Sequence, residues 1–378
     1  MEEQSGKLDQ AKFDSLIASL PQLRYANDSD TVITELVSWG LLIPIHEDEE
    51  STELAVHALV RDFCRDKEST ENWRERLRDA AAFYINSSKL AVQRDRSQKD
   101  VWNEIEAFEL LMEAGAFHLA AIVLSGATEL LDRWGYGQHL EGLYYRVLDK
   151  VDEADEGSML HNLAKLIQSR GEYDKALEYY DRAIKFAEKF DERSDIGSSY
   201  LQIGIIYQNR GEFDEALRYY TDSYTIFEEL KERLNTAKAL HQIGNIHYFK
   251  RNNDLALEHY QRSYKILEEL DDQSGIANSL GQMGILHEDI GELEKAQELQ
   301  NRALEIFETL QEPSGMAIAL HRLGILEQTR GAFDKALDYY DRGLAICEAL
   351  GDRVGIAGAL HGIATTMIEV GRFEEALP

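Results

Sequence analysis

From residue 157 onward the chain repeats itself every 40 residues: Gly204, Gly244, Gly284 and Gly324 mark one phase, and Ala176, Ala216, Ala256, Ala296, Ala336 and Ala376 another. A fixed period of this length means that each unit is a supersecondary element that buries its apolar face only against its neighbours. A second series, Gly171, Gly211, Gly291, Gly331 and Gly371, keeps the same register, with Arg251 and Asn252 where one repeat lacks the glycine. Six units are counted, starting near 157, 197, 237, 277, 317 and 357, the last cut short at Pro378.

Within one unit Leu240, Ile243 and Ile246, then Ala256, Tyr260, Tyr264 and Leu267, fall at helical spacing on one face of each of two helices. The unit is therefore a helical hairpin, with an inner helix A and an outer helix B. Gly204 and Ala216 lie where the two helices cross, and their lack of bulk lets the backbones approach. Gly211 suits the left-handed residue that ends helix A, and Asp214 suits the positive end of helix B. Only four prolines occur in 378 residues, which leaves such helices unbroken.

The run Tyr200, Ile203, Gly204, Tyr207, then Ala216 and Tyr220, resembles the tetratricopeptide signature, and the resemblance extends over residues 157–378. The step is longer than the family's usual 34 and the helix-ending proline is missing, as in long-repeat members similar to kinesin light chain and the bacterial peptide-sensing regulators. The resemblance implies a right-handed α-solenoid whose second helix runs longer than in the usual unit, with the A helices lining a concave groove. By the family's geometry the groove face carries Asn162, Gln202, Gln242, Gln282 and Arg322, two residues before the small position of each unit. A primary amide both donates and accepts, so a column of amides satisfies the N–H and C=O groups of an extended peptide without reading its side chains. A solvated polar face is the alternative.

One residue earlier stand His161, His241, His321 and His361. Equivalent residues of adjacent units are separated by a helix-packing distance of roughly 8–10 Å, too far for shared metal coordination. Partner contact or solvation is expected of them, and no metal or other cofactor is. Asn245 and Tyr248 share a helix with Gln242 and join the expected groove; Tyr248 and Phe249 offer an apolar anchor there, or ordinary packing.

Ahead of the repeats, residues 1–10 are expected to be flexible and 11–68 to differ in kind. DSDTVITELVSWGLL leads through Ile43 and Ile45 to an acidic turn, a short alternating stretch and the helix-like VHALVRDFCRD. This order resembles the winged-helix domain of STAND and NB-ARC signalling NTPases, with His57 at the place of that family's nucleotide-touching histidine and Ala58 departing from its motif. The presumed wing carries His46, Glu47, Asp48, Glu49, Glu50 and Glu53, which argues against DNA. Residues 69–156 show helical spacing outside the 40-residue register, as a helical connector or degenerate repeats.

The formal charge of −30 argues against nucleic acid and fits a basic or neutral polypeptide partner, or serves solubility alone. Cys64 and Cys347 provide neither a disulfide framework nor metal spacing, and about 18 consecutive apolar residues occur nowhere, so a cytoplasmic protein without membrane contact is expected. Phosphate-loop, HExxH, GxSxG and CxxC motifs are all missing, so no enzyme is expected. The expected function is a non-catalytic protein- or peptide-binding scaffold, the ligand-sensing arm of a STAND-type NTPase whose nucleotide module precedes it in a longer chain. The alternatives are a free-standing adaptor linking two proteins and a winged-helix transcription regulator.

Overall fold

The computed structural model describes residues 42–48, 51–56 and 98–371, with isolated positions 74 and 78 and without 134. Strand β1 (Leu42–Asp48) pairs antiparallel with β2 (Ser51–Val56), Leu42 opposite Val56 and Asp48 opposite Ser51. The register shifts between Pro44 and His46, next to a proline that has no N–H to give the ladder. This hairpin falls where the sequence places the wing. The helices expected around it, together with His57, Cys64 and residues 1–10, lie outside the described residues.

Tertiary contacts divide the chain into two units, 1–127 and 128–378. The first holds the strand pair, α1 (Gln98–Glu113) and most of α2 (Phe117–Arg133); the second holds the end of α2, α3 (Gly137–Leu148) and the repeat array. The array runs α4 (Glu153–Ser169), α5 (Tyr173–Lys189), α6 (Arg193–Asn209), α7 (Phe213–Leu230), α8 (Arg233–Phe249) and α9 (Asn253–Glu269). It continues α10 (Gln273–Asp289), α11 (Leu293–Leu310), α12 (Pro313–Thr329), α13 (Phe333–Leu350) and α14 (Arg353–Val370). Even-numbered helices from α4 are A helices, and odd-numbered ones from α5 are B helices. Each has 17 or 18 residues, so the added length of the 40-residue unit is shared between both helices and is not confined to the second.

Two left-handed residues per unit close the hairpins. Gly171, Gly211, Gly291, Gly331 and Gly371 end A helices at positive φ, and Arg251 takes φ 59° where the glycine is missing, the cost of its Cβ being carried by the packed helices on either side. The turns from B to the next A use Asp191, Lys231, Asp271, Gln311 and Gly351, again all at positive φ. Position by position the backbone is the same, whatever the side chain.

The core is continuous along the stack. Leu240 and Tyr260 of the third hairpin, Leu280, Leu286 and Phe307 of the fourth, and Leu320, Leu323 and Leu326 of the fifth form one buried cluster. Every B helix packs on its own A helix and on the next one. The A helices of adjacent hairpins also touch directly at α4–α6, α10–α12 and α12–α14, closer than adjacent B helices, so the A helices crowd the inner, concave side.

Candidate functional site

An α-helix turns about 100° per residue, so positions −6, −2, +1 and +5 from the small residue of each A helix lie within about 60° of one another. On α6 these are Ser198, Gln202, Ile205 and Asn209, all half-buried or exposed, while Ser199, Ile203, Gly204 and Ile206 on the other faces are buried. On α8 the same stripe is Lys238, Gln242, Asn245 and Phe249, and on α10 it is Asn278, Gln282, Ile285 and Asp289. On this stripe Asn245 meets its own B helix, and Phe249 and Asp289 meet side chains of the preceding hairpin.

Asn162, Gln202, Gln242, Gln282 and Arg322 occupy the same place on five successive A helices, each half-buried. Gln202 and Gln282 make no side-chain hydrogen bond among the described residues. Gln242 accepts one from Asn245 Nδ2 at 3.0 Å, and Asn245 Oδ1 in turn accepts from Tyr260 Oη at 2.7 Å. Asn245 is thus tied into its own hairpin, and its amide steadies Gln242. The Tyr248 hydroxyl donates to Asp289 Oδ2 of the next A helix at 2.8 Å, and Arg251 Nη1 lies 3.4 Å from the same oxygen. Tyr248 therefore links two hairpins, while Phe249 stacks on Phe213 at 5.4 Å between ring centroids.

Three of the four histidines face a ring of their own hairpin, and His361 is exposed. His161, His241 and His321 set their rings against Tyr180, Tyr260 and Tyr340 of their own B helices, with centroids 5.3, 5.4 and 5.5 Å apart. Burial pushes the His161 and His241 imidazoles down to about 4 and that of His321 in the same direction. His161 Nδ1 lies 3.0 Å from Ser199 Oγ of the next hairpin. His241 and His321 are half-buried beside these rings. Among the described residues no group of three or more His, Cys, Asp or Glu side chains is placed to hold a metal ion. No described helix is long and apolar enough to cross a membrane.

The B-helix tyrosines form a repeating set of their own. Tyr180, Tyr220 and Tyr340 donate their hydroxyls to Gln168, Gln208 and Gln328, each twelve residues earlier, at 2.7, 2.8 and 3.0 Å. The fourth hairpin breaks the series: Gln300 replaces the tyrosine and donates to the Gly281 carbonyl at 2.9 Å. Glu288 there holds the glutamine's place, with Oε2 buried and unpaired. Burial raises the Glu288 pKa, against the pull of the Arg322 charge and with the help of Asp289. The sequence carries Gln168, Gln208 and Gln328 as a 40-residue series that is broken in the fourth unit and also in the third, where Tyr248 takes the glutamine's place and Tyr260 donates to Asn245.

The tetratricopeptide repeat family model matches residues 155–229, 235–309 and 315–378. Among solved structures the chain is similar to a Signal Transduction ATPase with Numerous Domains (STAND) protein with a tetratricopeptide repeat sensor from Pyrococcus horikoshii, at 17% identity and TM-score 0.66, covering 94% of this chain and 52% of that one. It is similar to the apo form of RapI, at 17% identity and TM-score 0.57, over 78% of this chain and 85% of that one. It also resembles a Rap protein complexed with competence and sporulation factor, at 13% identity and TM-score 0.53, over 79% and 94%. At such identities the likeness shows the fold alone. The chain spans about half the length of the STAND protein. No curated protein matches it.

Proposed function

The chain belongs to the tetratricopeptide repeat family, and we propose that it is a non-catalytic receptor for an extended peptide, held along the inner stripe of its A helices. The observation that carries this reading is the column Asn162, Gln202, Gln242 and Gln282, one half-buried amide at the same place on each of four successive A helices. An extended strand lying across that column finds a donor and an acceptor at each hairpin, which suits a peptide backbone. Repeat-protein scaffolds of this family generally bind other polypeptides and do no chemistry of their own. In keeping with this, the carboxylates here are distributed along helix faces in ion pairs such as Arg193–Glu229 and Arg210–Asp174.

We further propose that the array is the sensor arm of a cytoplasmic STAND-type NTPase, with residues 11–68 as the winged helix between nucleotide module and sensor. The likeness to a STAND protein with a repeat sensor supports this reading, as does the position of the β1–β2 hairpin. Peptide capture in the groove would then change how the winged helix holds the NTPase module.

Two measurements test these readings. A decapeptide library passed over the immobilised chain and over a Gln202→Ala/Gln242→Ala/Gln282→Ala variant of unchanged helicity should be retained only by the first. Equal retention by both would remove the groove from consideration. In the full-length gene product, deletion of residues 157–378 should alter ATP turnover in resting or stimulated cells' protein; unchanged turnover in both states would sink the sensor-arm reading.

A further inference from the structure

Each B helix of the array ends on a large apolar residue that faces solvent: Phe190, Leu230, Leu270, Leu310 and Leu350 are 39, 37, 43, 42 and 47% exposed. Three residues earlier the same helices bury Ala187, Phe227, Leu267, Phe307 and Cys347 almost completely. A single exposed leucine is ordinary, but five at one register of a solenoid form a column along one edge. Ion pairs within hairpins identify that edge: Arg193 at the start of α6 meets Glu229 at the end of α7, and Arg233 of α8 meets Glu269 of α9. The edge therefore joins B-helix ends to A-helix starts.

Two acidic series run beside the column at the same 40-residue step. Glu188, Glu228, Glu268, Glu308 and Glu348 stand two residues before it, all exposed, and Glu192 and its equivalents, each Glu or Asp, stand two residues after it. Across the five turns, 188–195, 228–235, 268–275, 308–315 and 348–355, fifteen acidic residues stand with five basic ones, and every turn is net negative by itself. Of the five, Lys189, Arg193 and Arg233 are paired with Glu153, Glu229 and Glu269, which leaves Lys231 and Arg353. The second acidic series is engaged in part by neutral donors, Asn235, Ser274 and backbone N–H groups at A-helix starts. In the first series only Glu308 makes an ion pair among the described residues, with Arg342 at 3.6 Å. The opposite edge is neutralised differently, because Arg210–Asp174, Lys250–Asp214 and Arg330–Glu294 tie successive hairpins there.

The last turn of a helix carries partial negative charge and favours a cation. Yet α7, α9, α11 and α13 have no basic residue in the last turn and place a glutamate there. The helix ends and the carboxylates thus add their negative charge on the one edge that also exposes an apolar column. From this combination we infer that the edge docks a segment of a partner protein that carries Lys or Arg beside apolar side chains. The apolar groups cover residues such as Leu230, Leu270 and Leu310, and the cations meet the Glu188 series and the helix ends behind it. The surface lies at the helix ends, apart from the amide column, and the inference does not depend on the groove reading.

The test titrates the whole chain, by fluorescence anisotropy, with short C-amidated amphipathic peptides made of Leu and Lys, of Ser and Lys, and of Leu and Glu. The Leu–Lys peptide should bind tightest and weaken as salt rises, the Ser–Lys peptide should bind less well, and the Leu–Glu peptide should not bind. Glu188→Gln/Glu228→Gln/Glu268→Gln should weaken the Leu–Lys peptide about three-fold or more, the low end for three exposed charge pairs. Glu178→Gln/Glu258→Gln/Glu298→Gln removes as much charge from exposed B-helix positions ten residues before this series, about 15 Å along the helix and beyond the screening length of about 8 Å, and should leave binding nearly unchanged. Leu230→Ser/Leu270→Ser/Leu310→Ser should lower affinity to that of the Ser–Lys peptide. All these side chains are exposed, and the glutamate variants remain decisive even where the serine variant loses helicity. Equal weakening by both glutamate variants would reduce the attraction to bulk acidity and overturn the edge, as would a Ser–Lys peptide that binds as tightly as the Leu–Lys one. Binding lost in Gln202→Ala/Gln242→Ala/Gln282→Ala and kept in the edge variants would place the peptide in the groove and overturn the edge as well.

Discussion

Tyr220 stands over Gly204 so closely that a Cβ at residue 204 would lie 2.5 Å from its ring, while its hydroxyl passes on to donate to Gln208 Oε1 at 2.8 Å. One side chain thus sets the spacing of the two helices and fastens the C-terminal end of helix A. Tyr260 over Gly244 and Tyr340 over Gly324 repeat the contact, at 2.7 and 2.5 Å. Burial pushes the Tyr220 phenol upward, so it remains a neutral donor.

Gly204→Ala should therefore destabilise the array by about 1–3 kcal/mol, the usual penalty for overpacking a core, because the ring is held at both ends and has nowhere to move. Gly211→Ala, at φ 77° with open space around its Cβ, should cost about 1–2 kcal/mol through backbone strain alone. The two mechanisms separate in a double variant with Tyr220→Leu, measured by denaturant unfolding. Removing the ring should relieve much of the Gly204→Ala penalty and none of the Gly211→Ala penalty.

The fourth hairpin is the weak place in the series, and it can be repaired. Gln300→Tyr would place a ring over Gly284, whose site is now filled by the Gln300 amide, and bring a hydroxyl toward the buried, unpaired Glu288 Oε2. The expected gain is about 1 kcal/mol, that of a hydrogen bond made to a buried acceptor. A thermal melt that shows no increase for Gln300→Tyr would mean that the site has been shaped around the glutamine and does not accept the ring.

His247 and His259 stack in the third hairpin with centroids 5.3 Å apart and planes 4° off parallel, where the second hairpin stacks Tyr207 on Tyr219. Both imidazoles are pushed downward, first by burial; Lys250 adds to this at His247, and His247 and Arg262 add to it at His259, against the opposing charge of Glu258. A histidine whose folded pKa is depressed binds its proton in the unfolded chain first. Stability is then complete above the unfolded value of about 6.5 and falls as pH drops below it, by no more than about 1.4 kcal/mol per pH unit for each histidine. His161 and His241, held at about 4, act in the same direction. Unfolding free energy should fall from pH 7 to pH 5, and less steeply in His247→Tyr/His259→Tyr, which copies the second hairpin. An unchanged slope in that variant would clear the pair of any part in acid sensitivity.

The repeat, its two-helix unit and its small crossing residues were legible because each is a periodic feature, and period is what one-dimensional sequence records best. Gly211 and Asp214 were legible for the same reason. The contact of His241 and His321 with Tyr260 and Tyr340 was not, since a polar residue one step from an amide column looks exposed until the tyrosine beside it is placed.

The amide column gives the sharpest separation of stability from binding. The side chains of Gln202 and Gln282 make no hydrogen bond within the described residues and are half-buried outside the core cluster. Changing either to alanine should leave unfolding free energy within about 0.5 kcal/mol of the parent, as for surface positions in general. Gln242→Ala should cost slightly more, because Asn245 Nδ2 loses its acceptor. Each lost amide removes a donor and an acceptor from a bound backbone, worth about 0.5–1.5 kcal/mol per hydrogen bond, so the triple variant should bind a groove peptide more than ten-fold more weakly. Paired denaturation and fluorescence-anisotropy titrations with a peptide recovered from the library check both halves. A triple variant that unfolds early would make the column structural, and one that binds like the parent would leave it a solvated face.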